Sequence, residues 1–175
     1  MKNSIQKSYL IFAALLLVLL PAAFSGVAQA QTMKIKLYFP KDDTNGEIQL
    51  VAVERNIPKT TRVAEAAIRE LLKGVNEDEK KKGLTSSYEV KDIVTGRDEC
   101  QGAKMKPLGA YLIGVTIKKG TAIVNFRPEG ECYLQSAITA MDYVMKPIEA
   151  TLKQFPSIKG VDYALNGKII TEWDA

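Results

Sequence analysis

YLIGVTIKKGTAIVNF, residues 111–126, decides how this chain folds. Tyr111, Ile113, Val115 and Ile117 alternate with Leu112, Gly114 and Thr116, the period of two that a strand with one buried face requires. Lys118-Lys119-Gly120 supplies a tight turn, after which Ala122, Val124 and Phe126 alternate with Thr121, Ile123 and Asn125. Two alternating runs joined by a glycine-bearing turn are a β-hairpin. A second hairpin is expected upstream. KIKLYFP (34–40) alternates with Ile35, Leu37 and Phe39 toward the core, DDTNG (42–46) is dense turn chemistry, and IQLVAVER (48–55) returns.

The segments around these hairpins carry a longer period. Pro58 ends the second strand and Thr60 or Thr61 can cap a helix. Val63, Ala64, Ala67, Ile68, Leu71 and Leu72 then recur at helical spacing, with Glu65, Arg69, Glu70 and Lys73 mostly on the other face. Gly74 is placed to stop that helix. NEDEKKK (76–82) has no apolar period and reads as a solvated connector; 83–109 reads mostly as loop. Leu134, Ala137, Ile138, Met141, Val144, Met145, Ile148, Leu152 and Phe155 form a long stripe interrupted by Pro147. Proline is tolerated only in a first helical turn, so the helix either kinks there or a new one begins at about Pro147. Val161, Tyr163 and Leu165 form a last strand, Asn166-Gly167 favours a type I′ turn, and Lys168 to Trp173 returns along its edge. The order ββαββαβ predicts an α+β domain: a mixed or antiparallel sheet of about five strands with two helices packed on one face.

The N-terminus sets the expected compartment. Lys2 and Lys7 precede the apolar run YLIFAALLLVLL (9–20), and no acidic residue occurs before Asp42. That run is shorter than the roughly twenty residues a membrane-spanning helix needs. Pro21 and small residues lead to Ala28-Gln29-Ala30, the small-x-small pattern of a signal peptidase site, so residues 1–30 read as a signal peptide and Gln31 as the new N-terminus. The leader contains no cysteine for lipid attachment, and no stable membrane insertion is expected. Its loss removes two of 24 basic residues against 20 acidic ones, a balance that gives no electrostatic case for nucleic acid. The expected product is a single domain, 31–175, in the periplasm or another extracellular envelope space.

Cys100 and Cys132 are the two cysteines. An even pair in an oxidising compartment is most simply one disulfide. The chain has no histidine, which removes the commonest general base and metal ligand, and two thiolates alone do not complete a tetrahedral zinc site. Ser86, Ser87 and Ser136 coexist with many lysines, but Ser86-Ser87 lacks an S-x-x-K spacing; Asp98-Glu99 reads as exposed turn, and Tyr163 with Trp173 as terminal packing rather than a sugar platform. No catalytic residue, metal ligand or cofactor is expected.

A set of ordered motifs carries a resemblance. Tyr38-Phe39-Pro40 is followed by Val53-Glu54-Arg55-Asn56-Ile57-Pro58, by AAIRELLKG (66–74) and by Gly83-Leu84-Thr85. GTAIVNF (120–126), ATLKQFP (150–156), Val161 and Asn166-Gly167-Lys168 complete it. Together these resemble the GerMN domain, in order and over nearly all of 31–175. The resemblance implies an exported or lipid-anchored envelope protein of a sporulation-related family, with a binding or assembly role and no assigned catalytic residues. The chain departs from the pattern in having one copy, no lipobox, Asn125 where an acid is usual, Arg127 where a small polar residue is usual, and a longer 83–109 insertion. The expected function is that of an exported non-catalytic module that binds another envelope protein or assembles a complex; the alternative is a peptidoglycan or small-ligand binder using the 83–109 loop.

Overall fold

The computed structural model describes residues 31–42, 46–88, 105–134 and 141–171, all within the compact unit Gln31–Ala175. The leader with Ala28 and Ala30, the segment containing Cys100, Asp98 and Glu99, and the residues Ser136 and Trp173 lie outside the described residues.

β1 (Thr32–Asp42) and β2 (Ile48–Pro58) pair antiparallel without a register shift from Thr32↔Pro58 to Asp42↔Ile48. Alternation works as expected on β1, where Ile35, Leu37 and Phe39 are buried and Lys34 and Lys36 exposed. β3 (Leu112–Lys118) and β4 (Thr121–Phe126) form the second hairpin. Lys119 and Gly120 both adopt positive φ at its turn, as do Asn166 and Gly167 between β5 (Gly160–Leu165) and β6 (Lys168–Ile169). That is the backbone a type I′ turn demands.

The fold is α+β, but its strands form two sheets: β1-β2, and a four-stranded sheet in the order β3-β4-β5-β6. The second is mixed, because β4 and β5 run parallel while the outer pairs are antiparallel. A parallel pair needs a crossover, which the helical segment between β4 and β5 provides. Instead of a single sheet of about five strands there are two, and β1's outer edge, where a further strand could add, is occupied by side chains and a loop. The Gln154 side-chain amide accepts from the Lys36 N–H at 3.0 Å and donates to its carbonyl at 2.7 Å, imitating a neighbouring strand. Thr151 Oγ1 accepts from the Tyr38 N–H at 3.2 Å, and the Thr85 N–H donates to the Pro40 carbonyl at 2.9 Å.

α1 (Val63–Leu71) packs on β1, β2 and β3; α4 (Lys146–Lys153) packs on β1 and β5; the two helices pack on each other. They therefore lie against both sheets rather than on one face of a single sheet. α1 begins one residue later than the threonines suggest: Arg62 is the N-cap, without a side-chain cap, and Thr60 Oγ1 accepts from the Arg62 N–H in the preceding turn. Pro147 lies in the first turn of α4, directly after a π-helical turn at Met141–Met145. The Met145 cap is itself helical, at φ −77° and ψ −49°, so helical backbone runs from the π turn into α4, and the proline sits where a first α-turn has no use for its missing N–H.

Two further segments correct the linear reading. NEDEKKK is not a plain connector: it contains α2 (Glu77–Lys81), closed by a capping box in which Asn76 Oδ1 accepts from the Glu79 N–H and Glu79 accepts from the Asn76 N–H. The ends of 83–109 are loop, as expected, but reach the core: Leu84, Tyr88 and Leu108 are buried, and the Leu108 N–H donates to the Tyr88 carbonyl at 2.9 Å, closing the neck of the insertion. A 3-10 turn at Leu108–Tyr111 leads into β3. Past β4, Pro128–Gly130 and α3 (Glu131–Leu134) fold back so tightly that a Cβ on Gly130 would lie 3.1 Å from the Tyr111 Cβ.

Candidate functional site

The inward row of β2 runs Val51, Val53, Arg55, Ile57, so alternation drives an arginine toward the core. Its guanidinium is held from every side. Nε and Nη2 donate to the two Glu79 carboxylate oxygens, Nη1 to Glu70 Oε1 at 3.3 Å, and Nη2 to the Gly74 carbonyl at 2.8 Å. The guanidinium also sits 5.3 Å from the centre of the Phe39 ring, a cation–π distance. The Arg55 and Glu79 side chains retain only 14% and 8% of their exposure, so this knot joins β2, the end of α1, and α2 with little water.

A second charge cluster lies on α1. Glu65, expected on the outer face, is buried; it accepts from Arg69 Nε at 2.9 Å and pairs with Arg62. The reason is a bulge in β3. Leu112 pairs with Phe126 but Gly114 with Asn125, so Ile113 is the extra residue. The slip buries Leu112 and Val115 and leaves Ile113 and Ile117 exposed, and the missing side chain of Gly114 leaves room for the Glu65 carboxylate, whose Oε2 would lie 3.3 Å from a Cβ there.

Between α1 and the neck of the insertion runs a shallow groove of about 580 Å³, lined by Arg69, Leu72, Lys73, Pro107, Gly109 and Ala110. Two cationic side chains flank an apolar floor. Beside it, Tyr111 and Tyr133 stack obliquely with centroids 6.4 Å apart; the Lys106 N–H donates to the Tyr111 hydroxyl and the Tyr133 hydroxyl to the Lys106 carbonyl.

The residues singled out in the sequence fall elsewhere. Gln31 is exposed at the start of β1, its carbonyl accepting from the Lys59 N–H. Cys132 is half-buried on α3, while Cys100 is outside the described residues. The Ser86 hydroxyl accepts from the Val75 N–H, and Tyr163 is buried with its hydroxyl donating to the Met145 carbonyl. Asn125 Oδ1 accepts from the Gly167 N–H at 2.8 Å, so the amide supplies the same acceptor oxygen that the usual acid would. The residues that linear reasoning missed are Arg55, Glu79, Thr151 and Gln154. The first two had signals, an inward strand position and an N-x-x-E capping pattern; the last two had none.

Tyrosines set a pH limit on this architecture. The hydrogen bond from Tyr143 to Asp42, followed by burial and the charges of Asp42 and Asp142, pushes its pKa up to about 12. Burial, then Tyr111, pushes Tyr133 up to about 12, and burial raises Tyr88 and Tyr163 as well. The folded state therefore favours the neutral phenols. The contribution of Tyr133 and Tyr143 is complete below the unfolded value of 10 and is lost as pH rises through 12. Denaturant titrations are expected to give constant stability up to pH 10 and a steady fall above it; stability unchanged to pH 12 contradicts the burial of these hydroxyls.

The arrangement of two small sheets around paired helices is that of a GerMN-type α+β domain. The family model described as "Germane: Sporulation and spore germination" matches residues 36–171, and the chain belongs to that family. Two solved structures share the fold. The first GerMN domain of the sporulation protein GerM from Bacillus subtilis aligns at 24% identity with a TM-score of 0.51, over 82% of this chain and 90% of that one. The tandem GerMN domains of the same protein align at 22% identity and a TM-score of 0.54, over 84% of this chain but only 43% of that one. The chain thus spans less than half of the two-domain relative. No curated protein matches.

Proposed function

We propose that this is an exported, non-catalytic cell-envelope protein whose GerMN-type domain binds another envelope protein or assembles a complex. One observation carries the reading: the carboxylates and guanidinium that the fold withdraws from water are used to hold elements together. Arg55, Glu70 and Glu79 fasten β2 to α1 and α2, and Glu65 neutralises two arginines beneath the β3 bulge. Such groups position a surface rather than react. Membership of a family described by sporulation and germination supports an envelope setting, as does the leader pattern of Lys2, Lys7 and Ala28-Gln29-Ala30. Expression of the full-length gene in its native host, with crosslinking in the intact envelope, is expected to give a product beginning at Gln31 and a discrete heterologous crosslink. An unprocessed intracellular chain, or no crosslinked protein at all, sinks the proposal.

The groove at the neck of 83–109 favours one second reading, a peptidoglycan or small-ligand site, since its cations and apolar floor stand beside an insertion longer than folding requires. Retention on purified peptidoglycan that disappears when residues 89–104 are deleted supports it; equal retention of both proteins rejects it.

A further inference from the structure

The two edges of the β1-β2 sheet are treated differently. On β1, the Lys36 N–H and carbonyl, the Tyr38 N–H and the Pro40 carbonyl point away from β2 and bond to Gln154, Thr151 and Thr85. In an antiparallel pair, residues opposite such positions also turn their peptide groups outward. Their partners are Glu54, Ala52 and Leu50, with Asn56 continuing the row opposite Lys34. No peptide group of Leu50, Ala52, Glu54 or Asn56 bonds across this outer edge among the described residues. The strand carries two charges, Glu54 and the inward Arg55, but lacks the other usual protections: its register is unbroken, its interior holds no proline, and it carries no lysine.

We propose that this edge is a self-association surface, on which β2 of a second copy pairs antiparallel about a two-fold axis through Ala52. The inference rests on the assembly reading above and gives it a partner. The side chains narrow the register. An axis at Glu54 would set that carboxylate against the partner's Glu54, and one at Arg55 would set two guanidinium groups face to face. An axis at Ala52 brings no like charges opposite each other: Leu50 meets the partner's Glu54, and Gln49 meets the partner's Arg55. It also lays Val51 against the partner's Val53. Both valines are only partly buried in the single chain, at the rim of the core, and an added strand covers them. The small side chain on the axis allows close approach. Two hairpins would then share one four-stranded sheet through an isologous contact. A seam one strand wide is small for an interface, so association is expected to be weak, with Kd on the order of 10 µM.

The processed product of the full-length gene is tested by sedimentation equilibrium. A reversible monomer–dimer equilibrium is expected. Ala52→Pro should weaken it by at least about tenfold, because the proline removes an outward N–H that β1 does not use, leaving the hairpin bonds intact. Ala52→Cys provides a positive test independent of any folding defect. Hydrogen-bonded antiparallel pairs place Cα atoms about 5.5 Å apart, within disulfide reach, so mild oxidation should give a covalent dimer. Asn56→Cys, away from the axis, should not. Wild-type protein that stays monomeric at millimolar concentration, or equal crosslinking at both cysteines, overturns the inference. A monomer that still crosslinks to another envelope protein sinks self-pairing alone and leaves the assembly reading standing.

Discussion

Replacing Arg55 with methionine is expected to cost the domain about 3–5 kcal/mol, the usual penalty for removing one partner of a buried ion pair. The methionine fills a similar volume but leaves Glu79, Glu70 and the Gly74 carbonyl facing an apolar neighbour. Glu79 is the least exposed of these side chains and already accepts from the Asn76 N–H, so the α2 capping box should loosen together with the knot. Arg55→Lys should recover only part of the loss, since a single ammonium cannot reach Glu79, Glu70 and the carbonyl in the fork geometry that Arg55 uses. The decisive comparison is a double-mutant cycle by urea denaturation. Arg55→Met combined with Glu79→Gln is expected to be less destabilised than the two single losses summed, by roughly 2 kcal/mol. Strict additivity would mean that the two groups do not stabilise each other, and the role given to this knot would fall.

Loss of a Cys100–Cys132 bond, proposed from the pairing of two cysteines in an exported chain, is expected to cost roughly 3–4 kcal/mol in the chain-entropy model. Cys132 stands on α3 between Gly130, which packs on Tyr111, and Tyr133 and Leu134 in the core. A link at that point would fasten the long insertion to a well-held anchor. For a domain of this size the melting temperature should fall by roughly 10 °C when reductant is added. Cys132→Ser should show the same fall without reductant and no further response to it. A wild-type protein whose melting temperature ignores reductant contradicts the bond.

Much of the fold could be read locally. The hairpins at 34–55 and 111–126, the α1 stripe, Gly74 at positive φ and the Asn166-Gly167 turn all follow from the identities of adjacent residues, because strand alternation, helical spacing and backbone sterics act over a few positions. The ordered motifs likewise resemble the GerMN domain, and the family match over 36–171 agrees. The Asn76-x-x-Glu79 box was equally local, but the surrounding charges hid it.

Tertiary contacts decided the rest. Whether β1 can take a further strand depends on what occupies its outer edge, and there Gln154, a residue 118 positions from Lys36, bonds its peptide group. Whether Ile113 or Leu112 faces inward depends on one bulge opposite Asn125 and Phe126. Whether Glu79 meets water or guanidinium depends on Arg55 arriving from a separate strand. Periodicity alone determined which segments become strands and helices. Only the packed structure decided which edges are closed, because a peptide group's partner is set by what lies beside it in space and leaves no mark on the residues next to it in the chain.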